Sequence, residues 1–341
     1  MKKARSAKVS LVGAAVLFSL TLFPGGASFG IDVPSAASPS SPAAPSFDAA
    51  DEESLVVDAL WAKFKALPVG KRAKVALVLG GGGARGLAHV GVLKVLRQEG
   101  VPVDMIVGTS VGAIVGALAA ADVPTDEIEK MGAEIGWNKL TDYSKSNLVK
   151  LLVSEELLST KKMEDYLHRM FGDKTFADLK TPFACLSTDL RTGEQIILRE
   201  GNVALAARAS ATMPGVFQPV PYRHRLLVDG GIVDNVPTDV AKLLGADVIV
   251  CVNVPPDFSR NAPSNVLTTL NQAIYIQGQV IVQERLALAD VLIEPQVKDV
   301  NAFELWKSKE CMAAGEAAAR KAMPALRKAL VSRFFKSRMK Q

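Results

Sequence analysis

Apolar residues in this chain fall into short runs separated by polar and glycine-rich turns. Val75–Leu79 is an unbroken apolar run of strand length, followed by Gly80–Gly83 and a helical pattern from Gly86 to Gln98. The same unit returns at once. Met105-Ile106-Val107 reads as a strand, Gly108-Thr109-Ser110 as a turn and Val111 to Ala121 as a helix. Further apolar runs at Ala184–Leu186, Ile196–Leu198, Leu226–Val228, Val248–Val252 and Val291–Ile293 have helical stretches between most of them. Strands that are apolar along their whole length are buried on both faces, so the pattern predicts an α/β fold with helices covering a mainly parallel sheet. Leu55, Val56, Leu60, Trp61 and Phe64 predict a helix ahead of the first strand. The stretch Val123–Phe171, with Trp137, Leu148, Leu151, Leu152, Leu157 and Leu158, reads as helices that either frame a site or simply cover the sheet.

Composition changes this picture little, but the distribution of charge changes it more. With 49% apolar and 22% charged residues over 341 positions, the chain can bury a substantial core, which excludes wholesale disorder. The net charge of +5 sits at the two ends. Lys2, Lys3, Arg5 and Lys8 open the chain without an acid, and residues 320–340 carry eight cations without an acid. The remaining 28 basic residues face 35 acidic ones, so no basic body for nucleic acid exists. The cationic start precedes an uncharged run from Val9 to Phe23 and then Pro24, Gly25, Gly26 and Ala27. That order predicts a secretory signal over 1–27, cleaved after Ala27, with an uncleaved anchor as the alternative. Export to the periplasm or exterior is the expectation. Residues 28–52 hold Pro34, Pro39, Pro42 and Pro45 among Ala and Ser and read as a tether. Cys185 and Cys251 lie in apolar strand-like runs and read as inert buried thiols.

Two glycine-rich turns carry candidate chemistry. Gly108-Thr109-Ser110-Val111-Gly112 is a G-x-S-x-G string between an apolar strand and an Ala-rich helix, where small neighbours push a serine hydroxyl out at the strand end. The run Gly80–Gly86 fits either a dinucleotide fingerprint or an oxyanion hole. The first needs an acid at the end of the next strand, and Asp104 stands at its beginning. Converging backbone N–H groups ahead of a helix suit an oxyanion better. A nucleophilic serine also needs a base. His89 sits in the helix after the glycines, His168 in a charged helical stretch and His224 between two arginines, and none of the three is a convincing base. Asp229, at the end of Leu-Leu-Val before Gly230-Gly231, is the remaining candidate; a turn aspartate making local hydrogen bonds is the plainer reading of it. No cluster of metal ligands is visible, and no metal or cofactor is expected.

These residues together resemble the patatin-like phospholipase family. The resemblance rests on Gly81-Gly82-Gly83-Ala84-Arg85-Gly86, then Gly108 to Gly112, then Asp229-Gly230-Gly231, with Ser-Ala-Thr-Met-Pro-Gly-Val-Phe-Gln-Pro-Val at 210–220, and it covers about residues 72–295. Within the family it looks closest to bacterial single-domain members related to the neuropathy-target-esterase group. It implies a three-layer α/β/α fold and a Ser–Asp dyad without histidine, with Ser110 as nucleophile and Asp229 as base. Gly81, Gly82 and Gly83 would line the oxyanion hole, or the same loop shifted by one residue within the four-glycine run. Arg85, Gly86, Gly108, Gly112, Gly230 and Gly231 support the motifs. Arg85 would either attract an anionic head group or form a structural salt bridge. The implied reaction is hydrolysis of lipid or phospholipid acyl esters; transfer of the acyl group to a lipid alcohol, or lipid binding without catalysis, are the alternatives. On this reading residues 53–298 are the catalytic domain and 299–341 are C-terminal helices. In the latter, Met323, Leu326, Leu330 and Phe334 share one face among the cations of 320–340, which suits docking on an anionic membrane or, equally, packing on the domain with the basic face solvated.

Overall fold

The computed structural model describes residues 49–68, 70–141, 157–257, 263 and 266–338; the expected signal, and the tether as far as residue 48, lie outside them. Eight strands are described: β1 Val75–Leu79, β2 Met105–Thr109, β3 Phe183–Asp189, β4 Gln195–Leu198, β5 Val220–Tyr222, β6 Arg225–Asp229, β7 Val248–Val252 and β8 Val291–Ile293. They form one sheet in the order β5-β6-β3-β2-β1-β7-β8, with β4 paired to β3. The β3-β2-β1-β7-β8 part is parallel, and β4, β5 and β6 join it antiparallel. This is the mainly parallel α/β architecture that the apolar runs predict. Only β5 has no counterpart among those runs, because Pro221 interrupts it; as the last strand of the sheet it tolerates a residue without an N–H.

The ten helices described are α1 Ala49–Lys65, α2 Ala88–Gln98, α3 Val111–Ala120, α4 Thr125–Glu134, α5 Trp137–Leu140, α6 Lys161–Phe171, α7 Val203–Ser210, α8 Thr238–Leu243, α9 Val266–Leu286 and α10 Ser308–Arg338. A 3-10 turn over Gly83–Leu87 joins the glycine run to α2. Alternate residues of each central strand point to opposite faces. Val75, Leu77 and Leu79 pack with Leu93, Leu118 and Leu326 in the larger core, while Ala76 and Val78 pack with Val240 and Val282 on the other face. Helices therefore cover both sides, which is why the strands are apolar throughout. Cys185 and Cys251 are buried in β3 and β7, where burial pushes both thiols up.

Helix α10 decides between the two readings of its apolar face. Its residues Met323, Leu326 and Leu330 are buried in the larger core, with Phe334 packed against it. The face expected to meet a membrane is thus the face that meets the domain. Arg327 reinforces the docking by pairing with Asp58 at 2.8 Å and Glu99 at 2.7 Å. Pro324 stands inside this helix. Further back, α10 crosses α2 so closely that a Cβ on Gly91 would strike the Met312 carbonyl, and one on Gly315 would strike the Ala88 carbonyl. The C-terminal helix therefore presses on the helix that follows the glycine run. Leu326→Ala should cost about 2–5 kcal/mol of unfolding free energy, read by urea denaturation. An unchanged midpoint would contradict the packing of α10 described above.

Candidate active site

The strand register brings the two candidate residues together. Residues Cys185 and Leu186 of β3 pair with β2 and β4 at once, so those strands lie on opposite edges of β3. Ser187 and Thr188 pair with β4 and β6 at once, so β6 shares the edge used by β2. On that edge Thr109 stands opposite Leu186 and Asp229 opposite Ser187. Strand β2 runs in, β6 comes from the other direction, and their last residues meet.

Ser110 follows Thr109 with φ 56° and ψ −126°, a left-handed conformation costly for a residue with a Cβ. Sharp reversal into α3 requires it. Glycine flanks it for a steric reason: a Cβ on Gly108 would lie 2.5 Å from the Gly112 carbonyl oxygen, and one on Gly112 would strike the Leu79 carbonyl. Ser110 caps α3 by position, yet its hydroxyl caps nothing. Instead Ser110 Oγ donates to Asp229 Oδ2 at 2.6 Å. Asp229 Oδ1 accepts from the Gly231 N–H at 2.8 Å, and Thr188 Oγ1 donates to the Asp229 carbonyl at 3.0 Å. Burial of the carboxyl pushes its pKa from 3.8 up to about 6, against the opposing pull of the Ser110 and Gly231 hydrogen bonds. An aspartate held this way is a far better proton acceptor near neutrality than a solvated one.

The glycine run lies against the serine; a Cβ on Gly81 would sit 3.2 Å from Ser110 Cβ. Its first N–H groups are already committed. Gly80 donates to Val252, and Gly81 donates to the Asn235 carbonyl at 3.0 Å, so Gly81 has no N–H to offer an oxyanion. Ala84 donates to Ala302. Between them, Gly82 and Gly83 have no backbone acceptor among the described residues. The available pair is therefore Gly82 and Gly83.

Arg85 takes neither of its expected roles. It is 2% exposed, donates to the carbonyls of Val254 and Val300, each at 3.1 Å, and lies over the Tyr275 ring. It ties the loops behind the glycine run. His89 is buried and bonds the Gly80 carbonyl through Nε2 at 2.8 Å, so Nε2 carries the proton. Burial pushes its pKa down to about 4, against that hydrogen bond. No histidine bonds Ser110: His168 sits near Glu164 and Asp173, and His224 is exposed. Asp104 pairs with Arg72 and accepts the Val75 N–H at the opposite end of the sheet, which removes the dinucleotide reading.

Three contacts had no signal in sequence spacing. Asn235 clamps the glycine run by accepting the Gly81 N–H and donating Nδ2 to the Gly81 carbonyl at 3.2 Å. Ser210 Oγ accepts the Ser110 N–H at 3.0 Å. Asp234, buried and pushed up by desolvation and by Asp239, pairs with Arg285 at 3.1 Å and holds the turn between Asp229 and Asn235. Ser110 and Asp229 border two cavities. One of about 70 Å³ is apolar, lined by Val111, Ile114, Met131, Met163, Phe217 and Leu305 among others. The second, about 30 Å³, is lined by Met213, Pro214, Ile274 and Tyr275. Met131 and Met163 come from α4 and α6, so part of the Val123–Phe171 stretch does frame the site; residues 142–156 lie outside the described ones. A larger hollow of about 510 Å³ opens beside Lys74, Met105 and Phe183, where β1, β2 and β3 begin, at the end of the sheet away from Ser110.

The fold and the elbow together define an α/β protein with a serine presented at the carboxyl end of a central parallel strand. Residues 77–242 match the family model described as patatin-like phospholipase. The chain carries a patatin-like phospholipase domain. Among curated relatives, patatin-like phospholipase domain-containing protein ZK370.4 of Caenorhabditis elegans is 37% identical over 182 residues, 53% of this chain and 13% of that protein. Human patatin-like phospholipase domain-containing protein 6 is 36% identical over 183 residues, again 53% and 13%. The uncharacterized NTE family protein MT2641 of Mycobacterium tuberculosis (strain CDC 1551 / Oshkosh) is 30% identical over 276 residues, 73% of this chain and 46% of that protein. The chain thus spans a minor part of each of these relatives. Among solved structures, VipD from Legionella pneumophila has a TM-score of 0.48 at 14% identity, over 74% of this chain and 67% of that one.

The close approach at the elbow can be tested without any substrate. Gly112→Ala should lower unfolding free energy by at least about 2 kcal/mol, since β1 cannot withdraw from the added methyl. A denaturation midpoint equal to that of the unaltered protein would show the elbow to be looser than described.

Proposed function

We propose that this protein is a serine carboxylic-ester hydrolase acting on lipid acyl esters through Ser110 and Asp229. The observation that carries the reading is the 2.6 Å hydrogen bond from a strained, turn-borne serine to a buried carboxylate. In the proposed reaction Asp229 Oδ2 accepts the Ser110 proton as Oγ attacks the acyl carbon. The tetrahedral oxyanion faces the N–H groups of Gly82 and Gly83, each contributing on the order of 3 kcal/mol, and the N-terminus of α3 adds its positive field. The alcohol leaves with the proton, and water, deprotonated by the same carboxylate, releases the acid from the acyl-enzyme. The apolar cavity beside Ser110 supports an acyl chain as the group held, and the patatin-like domain supports a lipid as its source. An exported location belongs to the same proposal, supported by the cationic start and the uncharged run over residues 9–23.

Ser110→Ala and Asp229→Asn should each reduce turnover of a short soluble ester by at least about a thousandfold, with non-additive losses in the double variant. Full activity in either single variant would remove the dyad. His168→Ala and His224→Ala should retain most activity, and a loss in one of them as deep as that of Ser110→Ala would revive a histidine triad.

The pH profile gives a second test. The base must be ionised, and burial holds its pKa at about 6, above that of a free aspartate. The value of kcat/KM should therefore climb as pH rises through about 6 and level off above it. An acid limb centred near pH 4 would mean that the essential base titrates as a solvated carboxylate, contradicting the buried Asp229 described above.

A further inference from the structure

Helix α9 runs past the mouth of the site, and its two sides differ. Ile274 and Tyr275 line the small cavity at Ser110, Val282 is buried against the sheet, and Arg285 is fixed by Asp234 and Asp239. The large apolar side chains on the outward side are exposed. Val266 is 74% exposed, Leu270 55%, Ile276 54% and Val280 70%. With Ala273, also exposed, these positions recur every three or four residues and form one stripe, interrupted by Thr269 and Gln277. From residue 261 to residue 283 the sequence contains no Asp, Glu, Lys or Arg. A solvated helix face of that length without a charge is unusual, since exposed helix faces ordinarily carry polar and charged residues. Across the site, Leu305 lines the apolar cavity, and the next residue, Trp306, is 73% exposed. Large apolar groups are thus exposed on both segments that border the openings beside Ser110.

We infer that the outward face of α9, with Trp306, is the surface by which this protein lies on a lipid layer. The choice of lipid as occupant rests on the ester-hydrolase reading and on continuity with the site, because the helix that exposes the stripe also lines the mouth. Among the described residues no helix is long and apolar enough to cross a membrane, so the helix lies on the layer. Its attachment is apolar, and an exposed indole suits the boundary between head groups and acyl chains. This location differs from the basic C-terminal helix, whose apolar face is occupied by the core. The absence of charge makes a specific demand: binding should not need anionic lipid and should survive high salt.

The test is co-sedimentation of the full chain with phosphatidylcholine vesicles at low and high salt, beside turnover of a short soluble ester. Leu270→Glu/Ile276→Glu should weaken vesicle binding by at least about tenfold, since two exposed apolar anchors are lost and two charges must approach hydrocarbon. Soluble-ester turnover and the melting temperature should stay as in the unaltered protein. Val266→Glu/Val280→Glu, at the two most exposed positions of the stripe, should act in the same way if the first pair disturbs the fold. Leu243→Glu, equally exposed on α8, should leave binding unchanged. Binding that persists in both double variants, or that vanishes with salt, would overturn the inference. So would a dimer of the unaltered protein that the substitutions split while vesicles are ignored. Vesicle binding lost in the variants of a protein that hydrolyses no ester would support the surface and refute the proposed activity.

Discussion

One edge of β3 determines the site. Two strands running in opposite directions end against it, β2 at Thr109 and β6 at Asp229, on adjacent rungs of the ladder. Everything else in the site makes that meeting possible or uses it. Because β2 stops there, the chain must turn at Ser110 with positive φ, and because β1 and Gly112 lie in contact, the turn has no room for side chains around the serine. A hydroxyl that would otherwise cap α3 is left with one partner, the carboxylate of Asp229.

The arrangement is costly in isolation, and the surrounding hydrogen bonds offset it. A non-glycine residue held at such a φ is strained by about 1–3 kcal/mol. Holding an aspartate carboxyl with a pKa of about 6 in place of 3.8 corresponds to roughly 3 kcal/mol against the ionised form. Ser210 secures the Ser110 N–H, Thr212 accepts the Asp229 N–H, and Thr188 holds the Asp229 carbonyl. Asn235 fastens the glycine run to the turn that carries Asp229, and α10 presses on α2 behind it. Strain and desolvation at the centre are thus borne by a shell of ordinary backbone and side-chain contacts.

The parts legible in the sequence are those where local sterics leave one solution. Gly108 and Gly112 must be glycine beside any serine turned this sharply, and the central strands must be apolar throughout because helices cover both faces. Long-range pairing decides the parts that were not legible. Met323, Leu326, Leu330 and Phe334 form the same stripe whether a core or a membrane receives it, and only the position of α2 and α1 assigns it to the core. Arg85 in a glycine loop suggests an anion, yet two carbonyls from distant segments claim it. Likewise Gly81 loses its N–H to Asn235, a residue more than 150 positions away. Helix α9 is the converse case, a helix whose apolar stripe remains uncovered after folding.

The central claim is that Ser110 is a nucleophile activated by Asp229. It is tested most directly by reaction with an alkyl fluorophosphonate, followed by peptide mass spectrometry at several pH values. The account requires one stable phosphonyl adduct, on the peptide containing Ser110, formed at a rate that rises through about pH 6 and is nearly abolished in Asp229→Asn. Labelling at another residue, or labelling of Ser110 at an unchanged rate without the Asp229 carboxylate, would contradict it.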